Sequence, residues 1–393
     1  MNRLLAVSLT LALAGAAATA RAEELPLPVE TMPDVTVAQA DATAAPAETP
    51  AATPAPVVTP APVAVVPANA TKLKVGGVLW TAYSYDMSQG AGGKYLGNKN
   101  GFDVTRAYIN IEPSWGDDLS ARVTTDIVRD ALSAGTAGTA STTGSLVDRM
   151  KYAYVAWKPM PAMDYQLKFG LQQTPWIDFE ETMWGFRVLD NTMLEKYFGI
   201  SSSDFGLGGV GTELNKMIDY QWMVENGESF KAAEANKFKE AGARVSVRVL
   251  PAGDQPGLRV SAYYTYGIKT TPDAARIRAI GMLSYQAALF NVAAQYLYAN
   301  DGQGAGKKAV EGNGESLFAT VKVPMSNLVT LRYDMVTPNN GTQKTTGLSR
   351  GIFGVGHRFN DKVMILADYQ QTTPAASGSK PTQGAFVHAE AKF

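Results

Sequence analysis

The feature that most constrains this chain is a long series of short segments in which apolar and polar residues alternate. From Thr71 to Phe393, about sixteen such segments of roughly ten residues follow one another, with turn residues between them. A period of two residues is that of a β-strand whose two faces lie in different surroundings. The connections alternate between short and long, as they do in transmembrane barrels. The sequence therefore predicts an all-β fold, a transmembrane antiparallel β-barrel of about sixteen strands.

The last segment, "GAFVHAEAKF", shows the alternation clearly. Val387, Ala389 and Phe393 fall on one face, and His388 and Glu390 fall on the other. We expect the first face to meet lipid, with Phe393 at the inner interface. A C-terminal phenylalanine closing such a strand resembles the terminal signal of bacterial outer-membrane proteins, which implies recognition by the barrel assembly machinery.

The N-terminal part of the chain has a different composition and two predicted segments. Residues 1–22 combine a basic residue, a short apolar run and a final Ala-Arg-Ala, which predicts a signal peptide cleaved after Ala22. Residues 23–70 consist mostly of Pro, Ala, Thr and Val, with few large side chains to offset the entropy of ordering. We interpret them as a disordered periplasmic tether before a barrel over residues 71–393. The predicted location is the outer membrane of a Gram-negative bacterium.

Composition argues against several classes of function. The formal net charge is −1, which gives no electrostatic support for nucleic-acid binding. The chain has no cysteine and only two histidines, His357 and His388, so thiolate chemistry and histidine metal clusters are not expected. We predict neither a cofactor, nor a metal site, nor enzymatic activity.

Tyrosines recur in pairs at the strand ends that lead to long connections. A spacing of two residues keeps both rings of a pair on one face. Recurrence at equivalent heights predicts an interfacial aromatic girdle in contact with outer-membrane lipid and lipopolysaccharide. The pairs are Tyr83 and Tyr85, Tyr264 and Tyr266, and Tyr296 and Tyr298.

Charged side chains on the polar face are the candidate pore lining. If apolar positions face lipid, roughly a dozen bases and about seven acids face the lumen, and rings of bases favour anions. A hydrated lumen with merely mixed charge is the alternative. The candidate lining bases include Arg106, Arg122, Lys151 and Lys168.

The longest connection, residues 173–205, has a composition unlike the others. It is rich in aromatic residues, whereas an exposed loop does not need so much apolar surface. We expect it to fold into the barrel as the third loop and narrow it, so that an acidic loop faces a basic wall. Alternatively, it caps the barrel or contacts a neighbouring protomer. Its candidate constriction residues are Asp178, Glu180, Glu181 and Arg187.

Three stretches resemble the phosphate-selective porin O and P family. They are "FDVTRAYINIEPSWGDDLSARVTTDI", "KFGLQQTPWIDFEE" and "YQWMVENG". The family pattern carries over to Arg106, Gly170, Thr174 and Pro175. The resemblance implies a sixteen-stranded channel, often a homotrimer, with phosphate among its solutes.

These observations predict an outer-membrane porin, a passive diffusion channel for small hydrophilic solutes and ions with a weak preference for anions. The alternative is a structural or adhesive barrel that is anchored to the cell wall through residues 23–70.

Overall fold

Sixteen antiparallel strands form one closed barrel in the computed structural model. It describes residues 71–88, 100–129, 144–160, 163–252, 255–339 and 347–393; the predicted signal peptide and tether lie outside them. The strands are β1 (Thr71–Asp86), β2 (Asn100–Trp115), β3 (Leu119–Arg129), β4 (Leu146–Trp157), β5 (Tyr165–Gln173), β6 (Ser203–Glu213), β7 (Ile218–Glu225), β8 (Glu240–Ala252), β9 (Gln255–Ile268), β10 (Ala275–Gln286), β11 (Phe290–Asp301), β12 (Val310–Val323), β13 (Asn327–Thr337), β14 (Leu348–Arg358), β15 (Val363–Pro374) and β16 (Thr382–Lys392).

Each strand pairs with its neighbours in the sequence, and β16 pairs with β1 to close the barrel. The closing register places Val78 opposite Lys392 and Asp86 opposite Gly384. Every strand therefore has a hydrogen-bonded neighbour on both sides, and the sheet has no open edge. The predicted fold class and strand number are confirmed, including the glycine-rich sixth strand.

The strands have one exposed apolar face and one buried face. On β9, Val260 and Tyr264 are about half exposed, whereas Arg259, Ser261 and Tyr263 are buried. The terminal strand behaves as its sequence predicts, with Val387 exposed and with His388 and Glu390 buried on the other face. We refer to these two sides as the exposed face and the buried face.

Connections at one end of the barrel are tight. Between β6 and β7 the chain turns with positive φ at Leu214, Asn215 and Lys216, and between β12 and β13 at Met325 and Ser326. Left-handed backbone of this kind matches the twist of the strands that a hairpin joins. The other end carries the longer connections, as the sequence predicts.

The long connection between β5 and β6, residues 174–202, contains two short helices. Helix α1 (Ile177–Trp184) has Asp178 and Glu180 in its first turn, where acids favour the helix dipole. It ends at Gly185, whose φ of 80° lets its N–H reach the carbonyl of Glu181 at 2.8 Å. Helix α2 (Met193–Tyr197) begins after Thr192, whose Oγ1 accepts the N–H of Glu195 at 3.4 Å.

Candidate functional site

The long connection carries many of the apolar side chains that the barrel buries. Trp176, Ile177, Met193 and Leu194 have essentially no exposed surface. They belong to one cluster with buried-face residues of the strands. Its strand members include Tyr263, Ile280, Met282, Leu297, Phe318 and Ile352. The aromatic composition that marks this connection in the sequence is therefore the composition of a packed core.

Two of the four family-pattern positions, Thr174 and Pro175, lie where the long connection begins, whereas Arg106 lies on β2 and Gly170 on β5. Thr174 Oγ1 donates to the carbonyl of Ser201 at 2.7 Å, and the Thr174 N–H donates to Ser202 at 3.2 Å. The carbonyl of Pro175 accepts Arg244 Nε at 3.1 Å. These bonds join the start of the connection to its end and to β8.

Side chains on the buried face hold the backbone of the long connection. Arg278 Nε donates to the carbonyl of Phe198 at 2.9 Å, and Arg332 Nη1 donates to that of Asn191 at 2.9 Å. Gln370 Nε2 donates to the carbonyl of Leu189 at 3.2 Å. Irregular backbone buried away from water needs such partners, and bonds from charged donors contribute roughly 1.5–3 kcal/mol each.

The bases on the buried face therefore form two groups that the sequence pattern does not separate. The side chains of Arg278 and Arg332, beneath the long connection, are 3% and 2% exposed. Those of Arg122 and Arg149, on β3 and β4, are 26% and 31% exposed. Only the second group stays in contact with solvent.

We call Arg106, Arg122, Arg149, Lys151 and Lys168, which lie on β2 to β5, the basic wall. Two carboxylates pair with it. Asp126 lies 3.1 Å from Arg106 Nε and 2.9 Å from Arg149 Nη2, and Glu112 lies 3.5 Å from Arg122 Nε. Five bases against two acids leave the wall with positive charge.

Aromatic rings support the bases of the wall. The Arg122 guanidinium lies 4.9 Å from the centroid of the Tyr152 ring, and Lys168 Nζ lies 5.1 Å from that of Tyr154. Lys151, which is buried and bonded to Ser202, lies 4.6 Å from the ring of Phe230. Phe230 belongs to the connection after β7, and sequence analysis missed it because strand parity says nothing about a connection.

Acidic residues of the long connection face this wall. Asp178 is exposed and acts electrostatically on Arg122. Arg187 Nε lies 2.7 Å from Glu181 Oε1, and its Nη2 lies 2.8 Å from Glu195 Oε2. Burial raises the pKa of Glu181 to about 7, against the opposing attraction of Arg187.

Glu180, in contrast, does not face the basic wall. It is 1% exposed, accepts the indole N–H of Trp176 at 3.0 Å, and accepts Gln295 Nε2 of β11 at 2.6 Å. Burial raises its pKa. Of the eight predicted residues, Glu180 thus bonds to β11, which is not part of the basic wall, whereas Arg122 and Lys168 are partly exposed and Asp178 is exposed.

Arg350 of β14 is not among the predicted lining bases, yet its Nε lies 2.7 Å from Asp190 of the long connection. Both histidines contact residues of adjacent strands: His357 Nδ1 lies 2.9 Å from Asn327 Oδ1, and His388 Nε2 lies 3.0 Å from Asp368 Oδ2. Within the described ranges, no cluster of three His, Asp or Glu side chains is arranged to hold a metal ion. Neither α1 nor α2 has the length and apolarity needed to cross a bilayer.

No family model matches the sequence, and no curated protein does. Solved structures do match. An anion-selective porin from Comamonas acidovorans shares 11% identity at a TM-score of 0.60, covering 82% of this chain and 100% of that one. OprB of Pseudomonas putida shares 8% at 0.59, covering 82% and 94%. OmpT of Vibrio cholerae in its trimer form shares 12% at 0.56, covering 83% and 100%. At these identities the likeness shows the fold.

Proposed function

We propose that this chain is an outer-membrane porin, a passive diffusion channel for small hydrophilic solutes and ions. The observation that carries the proposal is a closed barrel of sixteen strands with an apolar exposed face and a charged buried face. An apolar outer surface suits lipid, and closure satisfies every backbone group there. Barrels of about sixteen strands are wide enough to enclose an aqueous channel, whereas about eight strands are filled by side chains.

In this proposal the long connection lies within the lumen and narrows the channel. Its support is the set of contacts with buried-face side chains of β8, β10, β13 and β15. Because those strands lie on one side of the closed sheet and the basic wall on the other, solutes would pass between the wall and α1.

The channel has a weak preference for anions, phosphate among them. The basic wall carries five bases, against two paired carboxylates. Asp178 and Glu181 of α1 oppose it with negative charge, which limits the preference and gives a field across the narrow part. The similarity to an anion-selective porin is in keeping with this reading.

The same proposal assigns roles to the N-terminal segments, the surroundings of the barrel and its assembly. Residues 1–22 direct export and are cleaved after Ala22, residues 23–70 form a periplasmic tether, and residues 71–393 form the barrel. The barrel assembly machinery recognises Phe393, and lipid and lipopolysaccharide surround the exposed face. The assembly is a homotrimer, for which the trimer form of a similar barrel gives support.

Planar-bilayer recording tests the proposal. We expect steady single-channel conductance and, in a salt gradient, a reversal potential weakly displaced toward that of the anion. A barrel that folds and inserts but stays closed would instead favour the structural or adhesive function. Strong cation selectivity would leave the porin function intact and overturn the anion preference.

A further inference from the structure

The geometry points to a second site, a cavity that binds a small organic cation bearing a primary ammonium group. The cavity has a volume of about 550 Å³ and lies between the long connection and the connection that follows β7. Its walls include the ends of β6, β7 and β8. Three carboxylates line it there: Asp204, Glu225 and Glu240. Binding at this cavity does not require that ions cross the barrel, so it is independent of the proposed porin function.

Glu225 and Glu240 occupy directly opposite positions on β7 and β8. Two like charges in such a cross-strand pair repel each other. Glu240 is stabilised from within the protein, because its Oε2 accepts Arg276 Nε at 2.7 Å and its Oε1 accepts Thr265 Oγ1 at 2.8 Å.

Both carboxylate oxygens of Asp204 also have hydrogen-bond donors within the protein. Its Oδ2 accepts the backbone N–H groups of Gly227 at 2.9 Å and Ser229 at 3.0 Å, and its Oδ1 accepts that of Phe205 at 2.7 Å. Its role is to order the turn after β7, and it does not need a ligand.

Glu225 has no such support. It is 3% exposed and lines the cavity, yet its Oε2 has no hydrogen-bond partner among the described residues. Arg276, which also lines the cavity, is engaged by Glu240 and by the carbonyl of Gly227 at 2.9 Å. A buried carboxyl oxygen without a partner is unfavourable, and an ammonium group in the cavity would remove that penalty.

The shape and lining of the cavity select the class of cation. Among the described residues no three acids are placed to coordinate a metal ion, and the volume is far larger than a bare ion needs. A primary ammonium has three donors, enough to bond Glu225 Oε2 and neighbouring acceptors. Lys231 and Lys269 also line the cavity, so they would repel a polyamine and favour a monoamine whose far end is neutral or anionic.

Isothermal titration of the full-length protein, folded in detergent, tests the site with n-butylamine. We expect wild type to bind n-butylamine but neither n-butanol nor tetramethylammonium, because the site needs both charge and N–H donors. Glu225→Gln should lose at least about tenfold in affinity. Glu228→Gln is the matched control: it removes the same charge from the same cavity but should keep affinity within about twofold.

Thermal unfolding gives a second readout that does not depend on heats of binding. n-Butylamine should raise the unfolding temperature of wild type and not of the Glu225→Gln variant. The inference is overturned if wild type does not bind n-butylamine, if tetramethylammonium or calcium binds as well, or if both Gln variants bind equally.

Discussion

The ring of Phe393 lies against the α-carbon of Gly77 where the last strand closes on the first. A Cβ at position 77 would lie 2.3 Å from Phe393 Cζ and 2.5 Å from the carbonyl oxygen of Tyr108. The two backbones also exchange hydrogen bonds, Gly77 N to Phe393 O at 3.0 Å and Phe393 N to Gly77 O at 3.1 Å. The C-terminal residue is therefore a structural part of the closing seam.

Gly77→Ala should destabilise the barrel by about 1–3 kcal/mol, because the added methyl group overpacks the seam. The measurement is the unfolding temperature of the heat-modifiable folded form on gels. Gly281→Ala is the control, since nothing lies within 4 Å of a Cβ at that position. Equal stability of the two variants would contradict the packing of Phe393 on Gly77.

Replacing the exposed bases of the basic wall should shift ion selectivity. Arg122→Ala with Lys168→Ala removes two charges that adjoin solvent, and we expect the anion-to-cation permeability ratio to fall by roughly twofold. Reversal potentials in a salt gradient measure it. Lys216→Ala, in the exposed turn after β6, should have no effect; if it shifts selectivity as much, net charge and not position is responsible.

Asp178 and Glu180 should respond differently to substitution although both are acids of α1. Asp178→Asn should raise anion preference and cost no more than about 1 kcal/mol of stability, because its exposed side chain loses only its interaction with the helix dipole. Glu180→Ala leaves the donors of Trp176 and Gln295 unsatisfied, which costs roughly 1–3 kcal/mol for each. Reversal potential and thermal unfolding of both variants separate the two roles, and the interpretation fails if Glu180→Ala changes selectivity alone.

Selectivity should also depend on pH near neutrality through Glu181. With its pKa raised to about 7 by burial, this carboxyl is charged above that pH and neutral below it. Anion preference should therefore increase as pH falls from about 8 to about 6. Glu181→Gln should show the low-pH behaviour at both values, and a variant that keeps the full pH response would assign it to another group.

Deleting residues 177–197 should widen the channel and raise its conductance, since this segment contains α1, α2 and many of the buried apolar side chains. Single-channel recording measures the change. The deletion also removes the acids of α1, so anion preference should rise with conductance. Unchanged conductance in a folded deletion variant would place the segment outside the permeation path.

Much of the fold could be predicted from the sequence because alternation is a local signal. Val387 and His388 are adjacent, and their opposite faces follow from the pleat alone. Tyr264 and Tyr296 lie on the exposed face for the same reason. The aromatic richness of the long connection likewise indicated burial. The partners of its backbone could not be predicted, because they come from strands distant in sequence.

Arg122 and Arg278 show what the sequence could predict and what depended on the tertiary structure. Both occupy polar positions of alternating strands, and by themselves they predict the same hydrated surroundings. The sequence alone determined the strand number and which side chains share a face, because a slip of one residue would reverse every side chain. Only the tertiary structure decided that Arg278 is buried against the carbonyl of Phe198, 80 residues away, while the side chain of Arg122 remains 26% exposed. The reason is packing, since the apolar side chains of the long connection cluster with buried-face residues that lie mostly on β9 to β15, and β3, which carries Arg122, contributes no residue to that cluster.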